Sequence, residues 1–188
     1  MAGTQFAFMG LIVAYPEKFG LGKATVEEME GFIHFWRCIG YLLGIEDHIN
    51  FCRHDNLRET RAWTFDFLEL FVKPLMKLSI SPEFEHMGRA VALGATHYLP
   101  CTYESIYLFI CWVIELPVKD IKSFSFWDRF LFNLMSFLYS WVGNTRLGNL
   151  WLNRMGLSAV NQIVNPSKNA FNYNPPPVPG LRELWINP

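Results

Sequence analysis

The metal-binding residue types that lie closest together in this sequence are His48, Cys52 and His54. His48 and Cys52 are four residues apart, so on a helix they would share one face and could bind one metal ion. A structural zinc ion takes four such ligands. His86 and His97 have no nearby partner in the sequence, so we assign no metal to these residues.

Arg37 lies in an apolar segment of helical period, where one broad face carries Phe32, Phe35, Trp36, Ile39, Leu42 and Leu43. We expect this helix to be packed on most sides. A buried arginine has to be paired. Glu46 and Asp47, just beyond the helix end at Gly44, are the natural partners of Arg37. The predicted role of this polar group is structural.

Motifs that would indicate a reaction do not occur in the sequence. GxSxG, HExxH, the P-loop and GxGxxG are all missing. The residue pattern by itself therefore predicts an aromatic-rich helical domain and does not indicate a catalytic mechanism.

The composition limits the classes of protein to which the chain can belong. Of its 188 residues 51% are hydrophobic, 16% are aromatic and 18% are charged, and the formal net charge is −1. A charged fraction below the usual ~25% indicates a large core, a buried cofactor, a membrane surface or a missing partner. The sequence has no Lys/Arg-rich run, so we exclude nucleic-acid binding. Its four cysteines form no CxxC pair, and we expect reduced, mostly buried thiols.

Helix signals dominate the chain. Thr25 and Glu28 form a capping box that opens a helix ending at Leu43, and Gly44 supplies the stop. Asn56 with Glu59 opens a second helix, which Pro74 should kink or restart after Val72.

Further helices are predicted beyond Pro74. One begins at Ser81-Pro82-Glu83 and runs to about Gly94, and two strongly apolar helices cover residues 101–116 and 124–142. No segment shows the period-two alternation of a strand. We predict one all-α domain of about six to eight helices over residues 1–160. A Pro/Asn-rich, irregular tail over 161–188 is either disordered or an extended strap.

Two apolar stretches bear on membranes and targeting. Residues 6–15 follow no positive lead-in, so we predict no secretory signal, and the opening residues resemble the middle of a helix. Either that helix begins at the terminus or an N-terminal portion is lacking.

The longest apolar run, Ser105–Val118, is interrupted by Glu115 and Pro117 and is too short to span a bilayer. We expect it to be a buried helix, and shallow membrane docking, with Lys119, Lys122 and Arg129 at its rim, stays open.

Three sequence blocks resemble a known family. They are TQFxFMG at residues 4–10, WRxxGxLLGIED at 36–47 and RETR at 58–61. In type and spacing these blocks are similar to the downstream half of the mpaB/rubber oxygenase (latex-clearing protein) catalytic domain, in its insect-type version. The similarity is best over residues 3–65 and weaker to about residue 150.

The resemblance implies a helical domain that holds a b-type haem and uses dioxygen to oxidise or cleave hydrophobic isoprenoid chains. It implies an intracellular protein at the endoplasmic-reticulum membrane. Thr4 matches a family threonine that faces the haem region. The family's iron-ligating histidine lies upstream of the helix matched by residues 3–14, so we expect it to be absent from this chain. None of the five histidines matches it.

Two functional hypotheses follow. The first is a haem b-dependent oxidoreductase acting on an isoprenoid- or lipid-like substrate, in which this chain lacks the haem-ligand segment. The alternative is a non-catalytic helical module that binds lipid or a partner protein. An apolar groove left open on either protein would favour self-association or peripheral membrane contact.

Overall fold

The computed structural model describes residues 2–54, 56–77, 82–96, 101–118 and 121–164. The predicted all-α fold is confirmed, because the described residues form helices and turns without any strand. Contacts divide the chain into two units, Met1–Leu152 and Asn153–Pro188. The described part of the second unit is the end of the last helix. Ser81, His97, Lys119 and the tail residues 165–188 lie outside the described residues.

The described ranges contain eight α-helices, and two of them are extended by a π-helical turn. The helices are α1 (Ala2–Ala14), α2 (Val26–Leu42), α3 (Leu57–Phe67), α4 (Lys73–Lys77), α5 (Pro82–Ala95), α6 (Tyr103–Val113), α7 (Phe126–Phe137) and α8 (Arg146–Val164). The π-helical turns are Leu68–Val72, which joins α3 to α4, and Leu138–Val142, which extends α7. Short 3₁₀ turns cover Pro16–Phe19, Asp47–Ile49 and Ile121–Ser123.

Local capping starts and stops α2 as the sequence predicts. The Thr25 hydroxyl accepts a hydrogen bond from the Glu28 amide, and the Glu28 carboxylate accepts one from the Thr25 amide. Gly44 follows the helix in the left-handed region with φ of +74°, which glycine adopts without steric cost. Asn56 caps α3 by accepting a hydrogen bond of 2.8 Å from the Glu59 amide.

Pro74 and Glu115 account for two departures from regular helix. Pro74 has no N–H to donate to the preceding turn, and the π-helical turn Leu68–Val72 lies directly before it. α6 ends at Val113, three residues before the predicted end, because Glu115 takes a left-handed φ of +59°. The chain leaves the helix there.

The core of the first unit forms where α1 packs against α2 and α3 and where α6 packs against α7. Its largest fully buried side chains include Met9, Ile33, Leu68, Leu108 and Ile114. The apolar run of α6 is buried, as predicted. Among the described helices, none combines the length and the apolar character needed to cross a bilayer.

The prediction that α2 is packed on most sides was wrong, because only one side of the helix is buried. The structure buries Met29, Ile33 and Gly40, and it leaves Phe35 58% and Leu42 81% exposed. α2 is apolar around most of its circumference, so its sequence pattern alone does not select one face. Gly40 determines which face of α2 is buried, because only a residue without a side chain lets Gln5 of α1 come this close to α2.

Candidate functional site

A cluster of aromatic rings lies on adjacent faces of α1 and α2, with two rings exposed and two half-buried against the core. Phe8 stacks on Trp36 with ring centroids 5.7 Å apart and planes inclined by 15°. Phe32 and Phe35 meet the same indole edge-on at 6.3 and 6.1 Å. Phe8 is 61% exposed. We call Phe8, Phe32, Phe35 and Trp36 the aromatic face.

Thr4 lies beside the aromatic face. It is exposed on α1, one helical turn before Phe8, so that both residues occupy the same side of the helix. The hydroxyl of Thr4 is the nearest side-chain oxygen along this side of α1. The exposed surface continues along α2 through Leu42 and ends at Leu43 beside the Gly44 turn.

A buried polar lattice joins α1 and α2 next to the aromatic face. Gln5 Nε2 donates hydrogen bonds of 2.9 Å to the Trp36 carbonyl and to Asn50 Oδ1. Gln5 Oε1 accepts a 3.1 Å bond from the Phe51 amide, and Asn50 Oδ1 also accepts a 2.9 Å bond from the Cys52 amide. Buried amides that are bonded in this way specify one arrangement of the elements they join. The lattice therefore fixes the relative position of Phe8 and Trp36.

Gly40 is the contact point of the lattice on α2. A Cβ atom added at Gly40 would lie 2.6 Å from Gln5 Nε2 and 2.7 Å from Asn50 Nδ2. Neither amide can move away without losing its hydrogen bonds. Gln5 and Asn50 were missed by sequence reasoning, and the glycine in the middle of an apolar helix is the signal that could have pointed to them.

Arg37 pairs with Asp47 at the end of α2, and Glu46 lies beside His48. Arg37 Nη2 lies 3.2 Å from both carboxylate oxygens of Asp47. Glu46 Oε2 lies 3.3 Å from His48 Nδ1 instead. The acidic side chains are largely exposed, so solvent screens these pairs and each contributes little to stability. The Arg37–Asp47 pair links the end of α2 to the residues that follow the Gly44 turn, on the protein surface.

The histidines and cysteine considered for zinc are held apart by other partners. His54 Nδ1 lies 3.0 Å from Glu59 Oε2, and its Nε2 accepts a 3.1 Å bond from Arg53 Nε. Cys52 is fully buried. Within the described ranges, no group of three or more His, Cys, Asp or Glu side chains could hold a metal ion.

A pocket of about 450 Å³ opens beside α2 and is lined by Glu27, Glu30, Gly31, Ile33, His34 and Cys52. Burial raises the pKa of the Cys52 thiol to about 12, and nearby Arg37 lowers it by less. The thiol is therefore neutral near pH 7 and is a poor nucleophile and a poor metal ligand. His34 Nε2 lies 3.7 Å from the exposed Cys38 sulfur.

The described histidines do not fit a b-type haem. A haem needs an axial ligand that faces an apolar slot. His34, His48 and His86 are exposed, and both ring nitrogens of His54 have protein partners, Glu59 and Arg53. Among the described histidines, none is therefore suited to be the axial ligand.

Comparison of the chain with known protein families, with curated proteins and with solved structures found no match. The resemblance to the oxygenase family therefore stays a prediction.

Proposed function

We propose that this chain is part of an oxidoreductase of the mpaB/rubber oxygenase type and forms the wall against which a hydrophobic, isoprenoid- or lipid-like substrate lies. The proposal depends on one observation above all, the stacking of the exposed Phe8 ring on the half-buried Trp36 indole beside a rigid polar lattice. Soluble domains rarely hold large aromatic side chains in water in a fixed arrangement without a function for them.

The chemistry of the aromatic face supports an apolar, elongated ligand. Four aromatic rings offer a surface with little polarity, and Thr4 adds one hydroxyl at its border. Ligand sites generally combine an apolar wall with few polar groups that fix orientation. We assign the chain no part in holding iron, because none of its described histidines is suited to be the axial ligand of a haem.

A polyene fatty acid such as trans-parinaric acid tests the proposal, since its fluorescence rises in an apolar site. We expect saturable binding with a Kd on the order of micromolar. Removal of two exposed rings in the F8A/F35A variant should weaken binding at least about tenfold. The matched control is L75A/V91A, which shortens two exposed apolar side chains on α4 and α5. Equal binding by the F8A/F35A variant and the parent would show that the aromatic face is not the wall.

A second candidate is a non-catalytic helical module that binds a lipid or a partner protein through the same face. The observation in its favour is that the described histidines lack the setting of a haem ligand. A hemin titration of a fusion protein, in which the family's haem-ligand segment is placed before Met1, separates the two candidates. A one-to-one complex with a Soret band supports the oxidoreductase, and polyene binding without uptake of hemin supports the module.

A further inference from the structure

A second apolar surface lies on α7, on a different helix from the aromatic face. Through the π-helical turn Leu138–Val142 this helix runs continuously from Phe126. Along one side it carries five large aromatic side chains, each between 46% and 73% exposed: Phe126, Trp127, Phe130, Phe137 and Trp141. The spacing of four, seven and four residues between Phe126, Phe130, Phe137 and Trp141 keeps them on one side of a helix. We call these five residues the α7 stripe.

The other side of α7 is fixed to the rest of the first unit, so the stripe cannot turn inward. Phe132, Met135 and Tyr139 pack against the hydrophobic core. At the start of the helix, Asp128 accepts hydrogen bonds of 2.7 Å from the Thr102 hydroxyl and 3.2 Å from the Ser125 amide. The orientation of α7 is therefore set by contacts that do not involve the stripe.

The segment of the chain that carries the stripe has a net positive charge. Residues 121–152 contain three basic residues, Lys122, Arg129 and Arg146, and one acidic residue, Asp128, which gives a net charge of +2. The whole chain has a net charge of −1, so the rest of the chain is negative. Lys122 and Arg146 are exposed at the two ends of the helix. The single acid is occupied by the hydrogen bonds of the helix cap.

We propose that α7 docks on the surface of an anionic lipid bilayer, with the stripe at the boundary between head groups and acyl chains. Phe and Trp side chains favour this boundary, and basic residues beside them attract acidic head groups. A continuous helix of this length measures about 25 Å at 1.5 Å per residue, which suits a helix lying in the membrane plane. The proposal concerns a surface other than the aromatic face and does not depend on the proposed oxidoreductase.

Vesicle flotation tests the proposal, with vesicles of phosphatidylcholine alone or with added phosphatidylserine. We expect the protein to float with the anionic vesicles and to be released in part by about 0.5 M salt. The F130S/F137S/W141S variant should lower the bound fraction at least about tenfold. The L70S/L75S/V91S variant, which replaces three exposed apolar residues elsewhere, should bind like the parent. Circular dichroism and thermal unfolding verify that each variant is folded.

A charge-reversal variant gives a second test that leaves the apolar surface intact. K122E/R146E should lose the preference for anionic over neutral vesicles while it keeps its melting temperature. Failure of the parent to bind anionic vesicles would overturn the proposal, and so would equal binding by the stripe variant. A dimer that dissociates when the stripe is replaced, without vesicle binding, would assign the stripe to a second copy of the chain and would also overturn it.

Discussion

The side-chain amide of Gln5 donates a 2.9 Å hydrogen bond to Asn50, although 45 residues separate the two in the sequence. Both side chains are buried. The Gln5→Leu variant leaves the Phe51 amide and the Trp36 carbonyl without these partners. We expect the free energy of unfolding to fall by about 2–4 kcal/mol. Urea denaturation measures this loss, and the exposed Thr4→Ala change should alter stability by less than about 0.5 kcal/mol. If the two variants unfolded at similar urea concentrations, a structural role for Gln5 would be contradicted.

Two glycines of α2 should respond in opposite directions to the same substitution. Gly40→Ala places a methyl group 2.6 Å from Gln5 Nε2, and we expect it to destabilise the protein by about 2 kcal/mol or more. A Cβ atom added at Gly31 would have no neighbouring atom within 4 Å. Gly31→Ala should therefore stabilise the helix by about 0.5–1 kcal/mol. Thermal unfolding of both variants provides the measurement. The prediction fails if Gly40→Ala is neutral or if both changes have the same sign.

Lys18 caps the end of α6. Its ammonium group donates hydrogen bonds to the Trp112 and Val113 carbonyls at 3.2 and 2.9 Å and lies 3.1 Å from the Glu115 carboxylate. A cation at this position also opposes the partial negative charge of the helix end. Lys18→Met should lower the unfolding free energy by about 2 kcal/mol, whereas Lys23→Met, at an exposed lysine of the same loop, should change it little. Equal effects in urea denaturation would argue against the cap.

The buried thiol of Cys52 should make the protein sensitive to alkali. Burial raises its pKa from 9.0 to about 12, with a smaller opposing effect of Arg37. Between these values the folded chain keeps a proton that the unfolded chain releases, so stability falls as pH rises. The contribution is complete below pH 9 and decreases by up to about 1.4 kcal/mol per pH unit above it.

The Cys52→Ala variant isolates this effect. Its unfolding free energy should decrease less steeply than that of the parent between about pH 9 and 11. Tyr107, whose pKa burial also raises to about 12, contributes equally to both proteins. The difference between the two slopes therefore contains no contribution from Tyr107. A cavity left by the substitution lowers the unfolding free energy equally at every pH, so it does not change the slope. Parallel slopes would show that the Cys52 thiol does not cause the loss.

The features that could be predicted from the sequence are those set by neighbours along the chain. The capping box of Thr25 and Glu28, the Asn56 cap and the interruption at Pro74 each depend on residues a few positions apart. The proximity of Asp47 to Arg37 across the Gly44 turn is of the same local kind.

The buried face of α2 and the polar lattice could not be predicted in this way. They depend on Gln5 and Asn50, which come together only when α1 docks on α2. An apolar helix that offers hydrophobic residues on most sides leaves the choice of buried face to its partners. The aromatic face has the same origin, because Phe8 meets Trp36 as a consequence of that docking.

The polar lattice also determines how the first unit can open. The Phe51 and Cys52 amide hydrogens are held by side chains that belong to α1 and to the Asn50 turn. Exchange of the Phe51 hydrogen with solvent therefore requires α1 to separate from the turn. Because Gln5 is bonded to the Trp36 carbonyl as well, that separation also frees α2. The two helices and the turn thus form one cooperative opening unit, and the Phe51 amide reports its free energy.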